Sequence, residues 1–189
     1  MYRLRMVLIF VPILLNAGVL RGQDVPANSG ATGDWRARLN HELPLLGHRN
    51  WIAVVDSAYP LQTSVGIETV ETNAEQLDVV RAVLDELSKA KHVRPVIFTD
   101  AELKFVAESD AAGVTAYREA LAGVLRGREM QSLPHEEIIG KLDEAGETFH
   151  VLVLKSKMTI PYTSVFLRLD CGYWSDEQER RLRERMTRQ

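Results

Sequence analysis

The six residues WIAVVD, positions 51–56, constrain this chain more than any other stretch. Five apolar residues stand in a row without the alternation of a half-exposed strand, so the segment reads as a strand buried on both faces. Such a strand belongs to a parallel or mixed sheet with helices packed on it, and the flanking sequence has to supply those helices. Upstream, Asp34 can cap a helix through WRARLNHELPLL, with Trp35, Leu39 and Leu43 near one face and Pro44 weakening the last turn. Downstream, NAEQLDVVRAVLDELSKAK is the strongest helical segment. Asn73 is placed to cap it, and Leu77, Val80, Val83, Leu84 and Leu87 recur at helical spacing.

The remaining segments continue the interleaving. VRPVIFTD reads as a second strand, followed by short helices in AELKFVAES and TAYREALAGVL. LPHEEIIGKLDEAG is a helix introduced by Pro134 and ended near Gly146. TFHVLVLKS and TSVFLRLDCG are two further strands, and a terminal helix follows Ser175. The stretch at 57–73, SAYPLQTSVGIETVETN, reads as a long connection of the kind compact domains keep mainly when it carries function. The fold class that follows is α/β, one domain over residues 34–189, with a mixed or parallel sheet flanked by helices.

Residues 1–33 stand apart. A short basic start, MYRLR, precedes the apolar run MVLIFVPILLNAGVL and then a small, polar stretch, which is the order of a secretory signal. The expected arrangement is a signal peptide at 1–22, a flexible linker at 23–33, and export to the periplasm or the exterior. The alternative is an uncleaved membrane anchor, against which stands an apolar run shorter than the roughly 20 residues a spanning helix needs. With the signal removed, no stable membrane insertion is expected. Residues 1–22 hold three Arg and no acid, so their removal shifts the formal charge from −3 to −6. An acidic domain without a basic stripe is a poor partner for nucleic acid. Cys171 is the only cysteine, which excludes an internal disulfide framework.

Several polar residues sit where chemistry is done. Asp56 closes the buried strand, at the end where open α/β sheets bind ligands. It either serves a ligand there or caps the turn that follows. His48 precedes the same strand, and its alternatives are a surface loop residue or an acid–base group. Eight residues at about 3.3 Å each separate the two by more than about 15 Å, so a direct pair needs the chain to fold back or a second subunit. His135 opens a helix whose first turn holds Glu136 and Glu137, as an exposed first-turn residue or a site residue. Tyr162 follows Pro161 at the mouth of the last strand, with Ser164 two residues on. Together they can bind a hydroxylated ligand, or Tyr162 can be packing alone.

The chain lacks a G-x-S-x-G elbow, a P-loop, a G-x-G-x-x-G loop and an H-E-x-x-H helix. Five scattered His and one Cys offer no structural zinc pattern, so no metal is expected. A hydrolase using Ser57 with His48 and Asp56 lacks the elbow and oxyanion segment such chemistry needs.

LGHRNWIAVVDSAYP resembles the N-terminal signature of the D-ribose pyranase and L-fucose mutarotase family: Leu-Gly-His, with an Asp closing an apolar strand eight residues after the His. IPYTSVFLRLDCG resembles that family's Tyr-x-Asn segment and following strand, and HEEI resembles the helix start of its pyranase branch. The likeness runs in order over roughly residues 45–173. It implies an RbsD-like fold and an enzyme that interconverts monosaccharide anomers or ring forms without a cofactor. It also implies a ring of identical subunits with the sugar pocket shared between neighbours. By position, His48 matches the catalytic His, Asp56 its partner acid, and His135 and Tyr162 the sugar contacts. Ser164 stands where the family has Asn, and the span from His135 to Tyr162 is several residues longer than in the family. The departure at Ser164 motivates the alternative of a sugar-binding or scaffold protein on the same fold without catalysis.

Overall fold

The computed structural model describes residues 34–188, so the leader and linker expected at 1–33 lie outside the described residues. Asp34 accepts from the Arg36 amide at 3.1 Å and starts helix α1, Trp35–Glu42. Its inward residues, Trp35 and Leu39, are buried together with Leu43 and Leu46 just beyond it. The apolar run at 51–55 forms strand β1, Trp51–Val55, buried at every position. Its two faces look into two different cores, because successive side chains of a strand point to opposite sides.

The other strands are β2, Ile67–Glu71; β3, Val93–Asp100; β4, Met130–Leu133; β5, Val151–Lys155; and β6, Val165–Cys171. Their order in the sheet is β2-β5-β1-β6-β3-β4. β1 and β2 run parallel to β5, and β3 runs parallel to β4, whereas β6 runs antiparallel to both β1 and β3. The carboxyl ends of five strands therefore meet the start of β6 along one rim of the sheet. The helices are α1; α2, Gln76–Lys89; α3, Val114–Val124; α4, His135–Thr148; and α5, Asp176–Met186. Residues of α1, α2 and α3 join Ile52, Val54, Leu152 and Leu154 in one core. Ile138, Leu142 and Ala145 of α4 join Trp51, Val55, Val153 and Phe166 in the other. The expected single-domain α/β architecture with a mixed sheet is the one observed.

Two expectations need correction, and one strand, β4, has no counterpart in the sequence reading. The stretch at 57–73 is not wholly a connection, because it contains edge strand β2. Only Ile67 of that strand is buried, so its sequence shows little of the apolar pattern that marks a strand. Gly66 lets this strand come close to the α4–β5 junction, since a Cβ there would lie 2.5 Å from the Phe149 carbonyl oxygen. Strand β4, MQSL, is the other edge and is exposed along most of its length. It too carries no apolar period.

The second correction concerns α2, which begins at Gln76 rather than behind an Asn73 cap. Asn73 has a φ of 50°, a left-handed conformation that Asn tolerates, and lies three residues ahead of the helix. Gln76 is fully buried: its Nε2 donates to the Val54 carbonyl at 3.0 Å and the Thr163 carbonyl at 2.9 Å, and its Oε1 accepts from Ser156 Oγ at 2.5 Å. One amide thus ties β1, the end of β5 and the entry to β6. Replacing it by leucine leaves the Val54 carbonyl and the Ser156 hydroxyl without this partner. Gln76→Leu is expected to lower unfolding free energy by about 2–4 kcal/mol in urea titration; a loss under about 1 kcal/mol would show that the amide is dispensable.

Candidate functional site

Asp56 follows β1 directly, and its Oδ1 accepts from the Ala58 amide at 2.8 Å, so it does cap the turn SAYP. The same residue lines a cleft of about 440 Å³, with Ser57, Tyr59, His135, Pro161 and Tyr162 among the other walls. The capping bond uses one of its oxygens, so the two roles considered for Asp56 are compatible. Tyr59 packs beneath the turn, where burial raises its hydroxyl pKa and the nearby Asp143, Asp100 and Asp56 charges add to the effect. Its hydroxyl donates to Gln62 Oε1 at 3.0 Å, and its carbonyl accepts from Lys155 Nζ at 2.8 Å.

His135 reaches this cleft because Pro134 sets it at the first position of α4. Its backbone N–H donates to both oxygens of Glu102, at 3.0 and 3.1 Å, so a carboxylate from the 3₁₀ turn at Ala101–Phe105 caps the helix. Its Nδ1 lies 3.0 Å from Asp100 Oδ1. Tyr162 meets the imidazole edge to face, with ring centroids 5.7 Å apart and planes at 82°. Tyr162 holds a φ of 59°, a left-handed conformation that a bulky side chain adopts only when its surroundings hold it there. The following residue supplies that hold. The Thr163 carbonyl accepts from Gln76 and from the Tyr117 hydroxyl, at 2.9 and 2.7 Å, and its Oγ1 donates to the Ile160 carbonyl at 2.8 Å.

Asp100, the last residue of β3, was not singled out from the sequence. Its side chain has no solvent exposure, and its Oδ2 has no hydrogen-bond partner among the described residues. Burial pushes its pKa up to about 6, against the opposing effect of the His135 contact. VRPVIFTD gave one legible hint: an acid at the carboxyl end of a buried strand, the same signal that drew attention to Asp56.

Ser164 is buried and does not line the cleft. The left-handed turn at Tyr162 breaks the alternation that would have set the two side chains on one side. The β3–β6 register pairs Thr99 with Val165. Continued by one residue, it sets Ser164 opposite Asp100, and Ser164 Oγ is likewise without a partner among the described residues.

His48 lies at the other end of β1. Its Nδ1 is 2.8 Å from Asp170 Oδ1, and Asp170 also binds Arg94 Nη2. Burial works against ionisation of Asp170. The Cys171 amide, His48 and Arg94 outweigh it and hold the carboxyl below the ordinary carboxylate range. A second hollow, of about 410 Å³, includes His48, Arg49, Arg94, Arg168 and Asp170. The structure therefore brings Asp56, His135 and Tyr162 together within one chain, and leaves His48 and Ser164 out of that group.

One further group could attract a cation. Ligand atoms of Glu42, Glu68 and His150 lie within 4.8 Å of one another. Arg38 Nη2 already reaches both carboxylates, at 3.0 and 2.6 Å, so a guanidinium meets their charge. Among the described residues no helix is long and apolar enough to cross a membrane.

No protein-family model and no curated protein sequence matches the chain. Among solved structures the chain is similar to RbsD of Bacillus subtilis complexed with D-ribose, with a TM-score of 0.51 and 20% identity, over 71% of this chain and 92% of that one. The fold is RbsD-like. Likeness extends to the fucose mutarotase of Streptococcus pneumoniae in complex with L-fucose, at 17% identity and a TM-score of 0.45 over 70% of this chain and 91% of that one. FucU from Bifidobacterium longum follows, at 14% identity and a TM-score of 0.44 over 71% and 94%. At 20% identity the likeness to RbsD speaks for the fold alone, and the chemistry rests on the residues present at the rim of this RbsD-like sheet.

The buried Asp100 has a consequence for stability. A folded-state pKa near 6, above the ordinary carboxylate value, means that protonation favours the folded state. The benefit is complete below about pH 4 and is lost as pH rises through 6. Asp100→Asn does not titrate, so its stability relative to wild type should be higher at pH 7.5 than at pH 4, by up to about 2–3 kcal/mol. Urea unfolding of both proteins across that range measures the difference, and a constant offset would contradict it.

Proposed function

We propose that this protein is a monosaccharide mutarotase or pyranase, opening the cyclic hemiacetal of an aldose and letting it reclose as the other anomer or ring form. The observation that carries the reading is the convergence of Asp56, His135 and Tyr162, from three distant segments, on one cleft of about 440 Å³. A cleft of that volume has room for a small polar ligand such as a monosaccharide. Ring opening needs a group that takes the proton of the anomeric hydroxyl and a source of a proton for the ring oxygen. Imidazole can exchange a proton in either direction near neutrality, and carboxylate and phenol groups can hold sugar hydroxyls. Because aldoses open slowly in water unaided, an acceleration of roughly 10² to 10⁴ from a positioned acid–base group is sufficient. The reading invokes no cofactor.

His48 enters this scheme only through a neighbouring copy. The proposed assembly is a ring in which one subunit's His48 meets the Asp56, His135 and Tyr162 of the next as a second proton carrier. Export through the leader at 1–22 belongs to the same proposal, and the N-terminal residue of protein recovered outside the cytoplasm tests it. A mature chain beginning near residue 23 is the expected result, and an intact Met1 favours the anchored alternative.

A second reading, sugar binding without turnover, draws on Ser164, which stands at the family's Asn position yet is buried away from the cleft. Exchange NMR on ribose, fucose and related aldoses separates the two. Wild type should accelerate anomer or ring-form exchange of at least one sugar. His135→Ala and Asp56→Asn should lower that rate by roughly 10²-fold, and His48→Ala should do so only under conditions where the ring forms. Line broadening without exchange above the buffer rate for every sugar would leave the binding reading in place of the enzyme.

A further inference from the structure

We propose that Asp100 is the positioning residue of the site: it holds the Nδ1 proton of His135 and so leaves Nε2 free as the base for the anomeric hydroxyl. The inference rests on the mutarotase reading and deepens it, by assigning the proton-accepting atom to a side chain inside a single subunit.

Three contacts fix the His135 ring. The carboxylate of Glu102 anchors its main chain at 3.0 and 3.1 Å, the Tyr162 ring meets it edge to face at 5.7 Å, and Asp100 Oδ1 lies 3.0 Å from Nδ1. An ionised carboxylate only accepts hydrogen bonds, so this pairing puts the proton on Nδ1 and selects one of the two neutral tautomers. Asp100 is wholly enclosed while the His135 side chain is about a quarter exposed, at 28%. The acid therefore cannot touch a ligand in the cleft and acts through the imidazole. Its other oxygen is unpartnered among the described residues, and Ser164 Oγ, set opposite by the register of β3 and β6, is in the same condition. A buried carboxylate with one hydrogen-bond partner is a costly arrangement that packing alone does not require. The groups that bear on it are Glu102 on the 3₁₀ turn and Asp56 at the end of β1, which work against its ionisation, and His135 on α4, which favours it.

In the step this enables, His135 Nε2 takes the proton of the anomeric hydroxyl. The oxygen's electron pair closes to a carbonyl as the bond between C1 and the ring oxygen breaks. The ring oxygen takes a proton from water, and the imidazolium returns its proton to the hydroxide formed. Asp100 stays ionised throughout and stabilises the transient imidazolium.

The test reads the tautomer directly. Long-range ¹H–¹⁵N correlation of His135 at pH 8 should show a single Nδ1–H form in wild type and a mixture of forms in Asp100→Asn. Exchange NMR on the best sugar should show kcat lowered by roughly 10²-fold in that variant, with KM within about threefold. An Nε2–H form in the wild-type protein overturns the proposal without recourse to any variant. Unchanged tautomer and kcat in Asp100→Asn overturn it as well. If no sugar is turned over while the wild-type ring is Nδ1–H and the variant mixed, the positioning role stands and the mutarotase reading fails.

Discussion

A single buried amide sets the geometry on which the site depends. Gln76 donates to carbonyls of Val54 and Thr163 and accepts from Ser156, so it joins β1, the end of β5 and the entry to β6 beneath the rim. Asp56 lies just past the first of these, Lys155 at the second and Tyr162 just before the third. Because Gln76 is the first residue of α2, the helix that fills one core also sets the spacing of the strand ends that bear the polar groups. Packing and site geometry are here one problem, solved by one side chain.

The direction of β6 matters as much. A strand that runs against β1 and β3 brings its beginning, rather than its end, to the carboxyl ends of its neighbours. Tyr162 arrives at the rim from that side, and its left-handed backbone turns the ring toward His135 instead of along the strand. The opposite rim receives His48, Arg94 and Asp170, which form a polar cluster of their own. The two residues of the opening signature are thus separated by the full length of β1.

The central strands were legible because apolar residues dominate them. β1 and β3 in particular were read within a residue of their observed bounds. The edge strands β2 and β4 were not, since a strand with one open side needs few apolar residues and these have few. In the site, Asp56, His135 and Tyr162 were visible as polar residues at element boundaries. Asp100 was hidden in plain view as the last letter of a strand, because its importance lies in what α4 places beside it, and sequence order does not record that contact. Ser164 was read on strict alternation from Tyr162, which fails when the first residue of the pair is left-handed.

The enclosure of Asp100 sets stability against its hold on the His135 ring at one atom group. Above pH 6 its charge is a burden on the folded chain, and an uncharged replacement of the same shape relieves it. A laboratory evolution campaign scored on heat resistance alone would therefore discard this carboxylate early, yielding a sturdier protein whose cleft has lost the anchor of its imidazole.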